Sequence, residues 1–172
     1  MLNSQHLSRL LGAAVLGALC SAYAYADSGK LHANDWSWME KVARADAAEI
    51  RAGQLAQSKA VSPQVRAFAE KMVADHTKTS TELKALASDK GVFLPDEPDA
   101  AHKSDYAKLQ RLTGPKFDEQ YMERAGVNDH KAAVALFKRG TTSLYDPDVK
   151  AFAQNTLPAI QHHYEMAQGL EQ

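Results

Sequence analysis

The chain has 172 residues, with 20 Lys and Arg against 21 Asp and Glu, 45% apolar residues and a single cysteine. That length suits one domain with a real core, and the apolar share excludes a disordered chain. The balanced, interspersed charge excludes the basic footprint of a nucleic-acid binder, no apolar run reaches the roughly 18 residues that span a bilayer, and one cysteine makes no internal disulfide.

Residues 1–26 read as a secretory signal peptide. Arg9 stands before Leu10–Leu19, an unbroken run of small and apolar residues, and Ala22, Ala24 and Ala26 supply overlapping small-x-small cleavage sites. Cleavage is expected after Ala26, with Ala24 the other candidate. Cys20 is not read as a lipid-anchor site, because Leu19 stands where such a signal needs a small residue. The domain expected to remain, 27–172, is exported, thiol-free and without a membrane-spanning segment.

The next segment, 34–60, carries Trp38, Val42, Ala45, Glu49, Ala52 and Ala56 at helical spacing, with Asn34 or Asp35 as cap. Trp36 and Trp38 at its start read as an end plug. Ser62-Pro63 is a cap followed by proline at the first helical position, where its missing N–H costs nothing. The second helix shows Val65, Phe68, Met72, His76, Thr79, Leu83 and Leu86 on one face and ends at Gly91, with Pro95 preventing resumption. Pro95 and Pro98 mark a surface segment, and 100–112 predicts a short helix. Gly114-Pro115 opens a third long helix with Phe117, Tyr121, Val127, His130, Val134 and Phe137 facing inward and Gly140 as its expected stop. Asp146-Pro147 opens the fourth, faced by Val149, Phe152, Thr156, Ile160, His163, Ala167 and Leu170 and interrupted by Pro158. No segment alternates with period two. Residues 62–69 also match 146–153 at five of eight positions. The expected fold is therefore all-α: a four-helix bundle of two antiparallel hairpins joined by a long crossover that contains a short helix.

Four polar residues occupy stripe positions that demand apolar ones: Glu49, His76, His130 and His163, one per helix. His32, His102 and His162 lie off the stripes. Glu49 and His76 are equidistant from the Ser62-Pro63 turn, and His130 and His163 from the Asp146-Pro147 turn, so each pair faces across its hairpin near mid-bundle. A lone buried imidazole or carboxylate is costly. Two arrangements relieve the cost. One is a transition metal, Zn, Cu, Fe or Mn, held by three imidazoles and a carboxylate. The other is a closed Glu–His hydrogen-bond network in a non-catalytic module of the cell envelope whose surface binds a partner. Asp75 and Asp129 each precede a stripe histidine; they read first as solvated surface groups and second as partners to a ligand on another helix. Tyr121 reads as core packing.

These stretches, in order, resemble a known family: Ala48-Glu49-Ile50 with Leu55-Ala56, Val65 to Ala69, Met72 to Thr77, Gly114 with Phe117-Asp118 and Tyr121, His130, and Leu157-Pro158 with His163. The chain resembles the exported bacterial family called domain of unknown function 4142, labelled "predicted outer membrane protein" and placed in the ferritin-like superfamily. The resemblance implies the four-helix fold and export, puts Glu49, His76, His130 and His163 on motif positions, and implies no activity. With one stripe glutamate instead of several, it argues against iron storage. The resulting expectation is a periplasmic protein, peripheral to the outer membrane if it touches it at all. Its buried centre of three histidines and one glutamate takes a metal and serves in oxidative or envelope stress; the metal-free envelope module is the alternative.

Overall fold

The structure, a computed structural model, describes residues 31–170; the expected signal peptide lies outside the described residues. All regular structure among them is helical: α1 (Ala33–Lys59), α2 (Pro63–Asp89), α3 (Ala100–Leu109), α4 (Pro115–Tyr121), a π-helical segment (Met122–Asp129), α5 (His130–Ser143) and α6 (Pro147–Leu170). α4, the π segment and α5 run on from one another as the third long helix. Helices α1 and α2 form one antiparallel hairpin, the third helix and α6 the other, and the hairpins meet through α2 and α6. Residues 90–114, with α3, make the crossover. This is the all-α bundle of two hairpins joined by a long crossover that the stripes predict. No helix among the described residues is long and apolar enough to cross a membrane.

The starts of α2 and α6 follow the same design. Ser62 Oγ accepts from Val65 N at 3.4 Å, and Asp146 Oδ1 accepts from Asp148 N at 2.9 Å and Val149 N at 3.2 Å. Each start is also held by a buried carboxylate from the opposite hairpin. Asp118, in the first turn of α4, accepts from Val61 N and Ser62 N; Asp35, in the first turn of α1, accepts from Tyr145 N and Asp146 N. Asp35 and Asp118 are 0% and 7% exposed, so these backbone donors are satisfied away from water.

Two details depart from the sequence reading. Gly140 does not stop the third helix, which runs on to Ser143; it lies against Trp38, whose indole would meet an added Cβ at 2.9 Å. Trp38 is buried against Phe137 and Phe152 and donates Nε1–H to Leu136 O, while Trp36 remains largely at the surface. In addition, the π segment widens the third helix by a residue, so Val127 is only half-buried and Met122, Ala125 and Gly126 face the core.

The apolar core falls into two clusters. One gathers Ala56, Phe68, Met72, Phe117, Tyr121 and Ala125; the other gathers Trp38, Val42, Leu83, Phe137, Val149 and Ile160. Between them lies a layer of buried polar side chains.

Candidate metal centre

The polar layer holds His76 from α2, His130 from the first turn of α5 and His163 from α6, all at most 4% exposed. Their ring centroids form a triangle with each side 5.5 Å. Each ring places one nitrogen within 4.8 Å of one from each of the others. His76 Nε2 and His130 Nε2 are 3.4 Å apart. Bonds of about 2.0–2.1 Å to a common tetrahedral ion would set nitrogens about 3.3–3.4 Å apart.

The outward nitrogen of each ring is fixed by a hydrogen bond. His76 Nδ1 pairs with Asp46 Oδ1 at 2.8 Å, His130 Nδ1 with the carbonyl of Ala125 at 2.8 Å, and His163 Nε2 with Asp75 Oδ2 at 2.7 Å. A carbonyl only accepts, so His130 carries its proton on Nδ1 and, when neutral, presents a bare lone pair at Nε2. The carboxylates of Asp46 and Asp75, when ionised, impose the same logic on His76 Nε2 and His163 Nδ1. His163 Nδ1 is buried and has no hydrogen-bond partner among protein atoms. Two carboxylates and one carbonyl thus hold three imidazoles with their free nitrogens converging, the orienting arrangement usual around metal-bound histidine.

Electrostatics favour the neutral rings that ligation needs. Burial, reinforced by His76, lowers the pKa of His130 to about 3, against the help of the Ala125 carbonyl. Burial and His76 likewise lower that of His163 to about 4, with Asp75 opposing. Burial works against Asp75 too, but hydrogen bonds from Lys71 and His163 outweigh it and hold that carboxyl below its ordinary range. Asp46 is raised by burial, although His76 offsets part of that.

Glu49 stands apart from the triangle. Its Oε1 lies 3.9 Å from His130 Nδ1, the nitrogen already given to Ala125, and its Oε2 is buried without a partner. Burial, then the nearby Asp129 and Asp46, push its carboxyl well above the usual range. The structure therefore brings together His76, His130 and His163, and places Glu49 at the same level but behind His130. Tyr121 packs on Phe68 and Phe117 as a core residue, with its hydroxyl unpartnered and its pKa raised by burial and by Glu49.

Asp46 and the Ala125 carbonyl are the residues that sequence reasoning missed. Asp46 had a signal: it lies four residues after Val42 and three before Glu49, on the inward face, where the stripe was drawn through Ala45 instead. The carbonyl had none, because the π turn that offers it leaves no periodic mark. Asp75 serves His163 from another helix, the second of its two expected roles.

The sequence model of the family described as "Domain of unknown function (DUF4142)" matches residues 20–170. The chain belongs to the DUF4142 family. No curated protein matches this DUF4142 member. Three solved structures share its fold: a DUF305 fragment from Deinococcus radiodurans (TM-score 0.73, 13% identity, 83% of this chain and 98% of that one), a putative secreted DUF305 protein from Streptomyces coelicolor (0.67, 12%, 79% and 89%), and CopM in the Cu(II)-bound form (0.67, 16%, 80% and 95%). At such identities the likeness shows the fold of the DUF4142 chain alone.

Proposed function

We propose that the protein is an exported, periplasmic metal-binding protein that holds one transition-metal ion on His76, His130 and His163. The observation that carries this reading is the convergence of three buried imidazole nitrogens within 4.8 Å of one another. Two imidazole lone pairs at 3.4 Å repel unless an electrophile lies between them, and His163 Nδ1 has no protein donor to turn to. A neutral, all-imidazole site suits Cu or Zn better than Fe or Mn, which favour carboxylate ligands. The Cu(II)-bound form of CopM, a protein of the same fold, makes copper the first ion to test. Glu49 stands beside this set, its Oε1 3.9 Å from His130 Nδ1, the nitrogen already bonded to the Ala125 carbonyl. The exported setting accords with the secreted description of one structural neighbour and with the signal-peptide pattern.

A metal-free reading also has an observation in its favour. If Asp46 keeps its proton, it donates to His76 Nδ1, and His76 Nε2–H then donates to His130 Nε2. That chain of bonds leaves His163 Nδ1 orphaned, so it closes less completely than the metal does. Elemental analysis of protein purified from the periplasm separates the two. One Cu or Zn per chain, lost in His163→Ala, is the expected result; metal-free protein whose melting temperature ignores both added Cu2+ and chelator overturns it.

A further inference from the structure

The triangle of histidines is approached between α1 and the third helix. There a cleft of about 290 Å³ runs from the surface to His76 and His130. Along its wall lie Asp99, His102, Asp129 and Glu49. His102 Nε2 is 3.8 Å from Asp129 Oδ1, and its Nδ1 is 2.9 Å from Asp99 Oδ1. Deeper in, Glu49 is 5% exposed and its Oε2 is unpartnered. Of the basic residues of the cleft, Lys41 and Arg139 lie eight or nine residues along their helices from Glu49 and His130, about 12–14 Å away by helical rise, and Arg44 donates to Glu40 Oε1 at 2.8 Å and to the Glu97 carbonyl.

We infer that Asp99, His102, Asp129 and Glu49 form the route by which a divalent transition-metal ion reaches and leaves the three-histidine centre; this rests on the metal reading above. The order is spatial: carboxylate and imidazole at the mouth, a buried carboxylate one ring away from the centre, then the rings themselves. Among the described residues only the three histidines bring three donors within reach of one ion. The route residues therefore hold a cation by one or two bonds, with water completing the shell. Weak ligation is what a route requires, because a tight intermediate stop would trap the ion. Carboxylates at the mouth, here Asp99 and Asp129, also raise the local concentration of cations and speed their arrival.

The test is stopped-flow loading of metal-free protein with Cu2+, read by the visible absorbance of the bound ion, together with release to a chelator. His102→Gln/Asp129→Asn is expected to slow loading about tenfold and to slow release by the same factor, leaving the equilibrium affinity within about twofold. Ala132→Trp, at an exposed position on the cleft wall, is expected to slow both rates without touching any donor, which keeps the test alive should the double variant fold poorly. Asp89→Asn, an equal charge change outside the cleft, is expected to leave both rates unchanged. Unchanged loading in both cleft variants overturns the route, as does equal slowing by Asp89→Asn. Slower loading with unaltered release also overturns it, since that makes these residues part of the affinity and not of the path. A parent protein that takes up no Cu2+ overturns the metal reading and the route together.

Discussion

Asp46 is the side chain through which the centre's geometry is most exposed to change. It fixes the tautomer and direction of His76, and removing such an orienting partner from a ligating histidine costs about 10–100-fold in metal affinity. Asp46→Asn keeps the size and an acceptor for His76 Nδ1–H, so we expect the fold to persist and the affinity to fall by that factor in a competition titration; equal affinity would mean that His76 does not ligate. The histidines also set a pH response in the metal-free protein. The folded-state values of His130 and His163, about 3 and about 4, lie below the unfolded value of about 6.5. The unfolded chain then binds more protons, so their contribution is complete above pH 6.5 and is lost as the pH falls towards 4. Glu49 and Asp46 are shifted upward and act with the opposite sign, giving stability at low pH that is lost as the pH rises. In the metal-free double variant Asp46→Asn/Glu49→Gln the histidines act without that opposition, and the melting temperature should fall steadily from pH 7 to pH 4.5. A rise over that range would show that the rings are charged in the fold.

Among the elements, the third helix shows what a sequence can and cannot announce. Its stripe is legible in two parts, Phe117 and Tyr121 before the π segment and His130, Val134 and Phe137 after it, each at helical spacing, and the caps at Ser62-Pro63 and Asp146-Pro147 place the hairpin turns from chemistry alone. Glycine is less transparent. Gly140 reads as a stop because glycine often ends helices, yet its lack of a side chain serves the indole of Trp38, a contact from 102 residues earlier that no local pattern encodes. Gly140→Ala should therefore cost about 1–3 kcal/mol, as overpacking does, although alanine is the better helix former. Unchanged or raised stability in urea titration would mean that Trp38 moves aside freely. The three histidines were found together because each breaks a stripe at a matched distance from its turn. Glu49 shares that level, but its final position behind His130 depends on the π turn, whose extra residue shifts the register just before that histidine.

At the scale of the whole molecule, the two hairpins clasp each other at both ends, Asp35 holding the turn before α6 and Asp118 the turn before α2. Each carboxylate satisfies two backbone donors, so Asp35→Ala and Asp118→Ala should each cost about 1–3 kcal/mol. Because they sit at opposite ends, their effects should add within about 0.5 kcal/mol in denaturant titration; strong coupling would contradict independent clasps. The buried polar layer between the two apolar clusters has a consequence of its own. Apolar clusters on either side of a polar seam can open separately, so the metal-free protein should behave as two cooperative units in amide hydrogen exchange, one end releasing its protons through a lower opening free energy than the other. An ion bridging α2, α5 and α6, of which α2 and α6 contribute to both clusters, would suture that seam. On Cu2+ binding, protection at the two ends should converge on a single, higher value. The seam would then make the protein's rigidity a readout of metal supply: loose when starved, and one solid body when loaded.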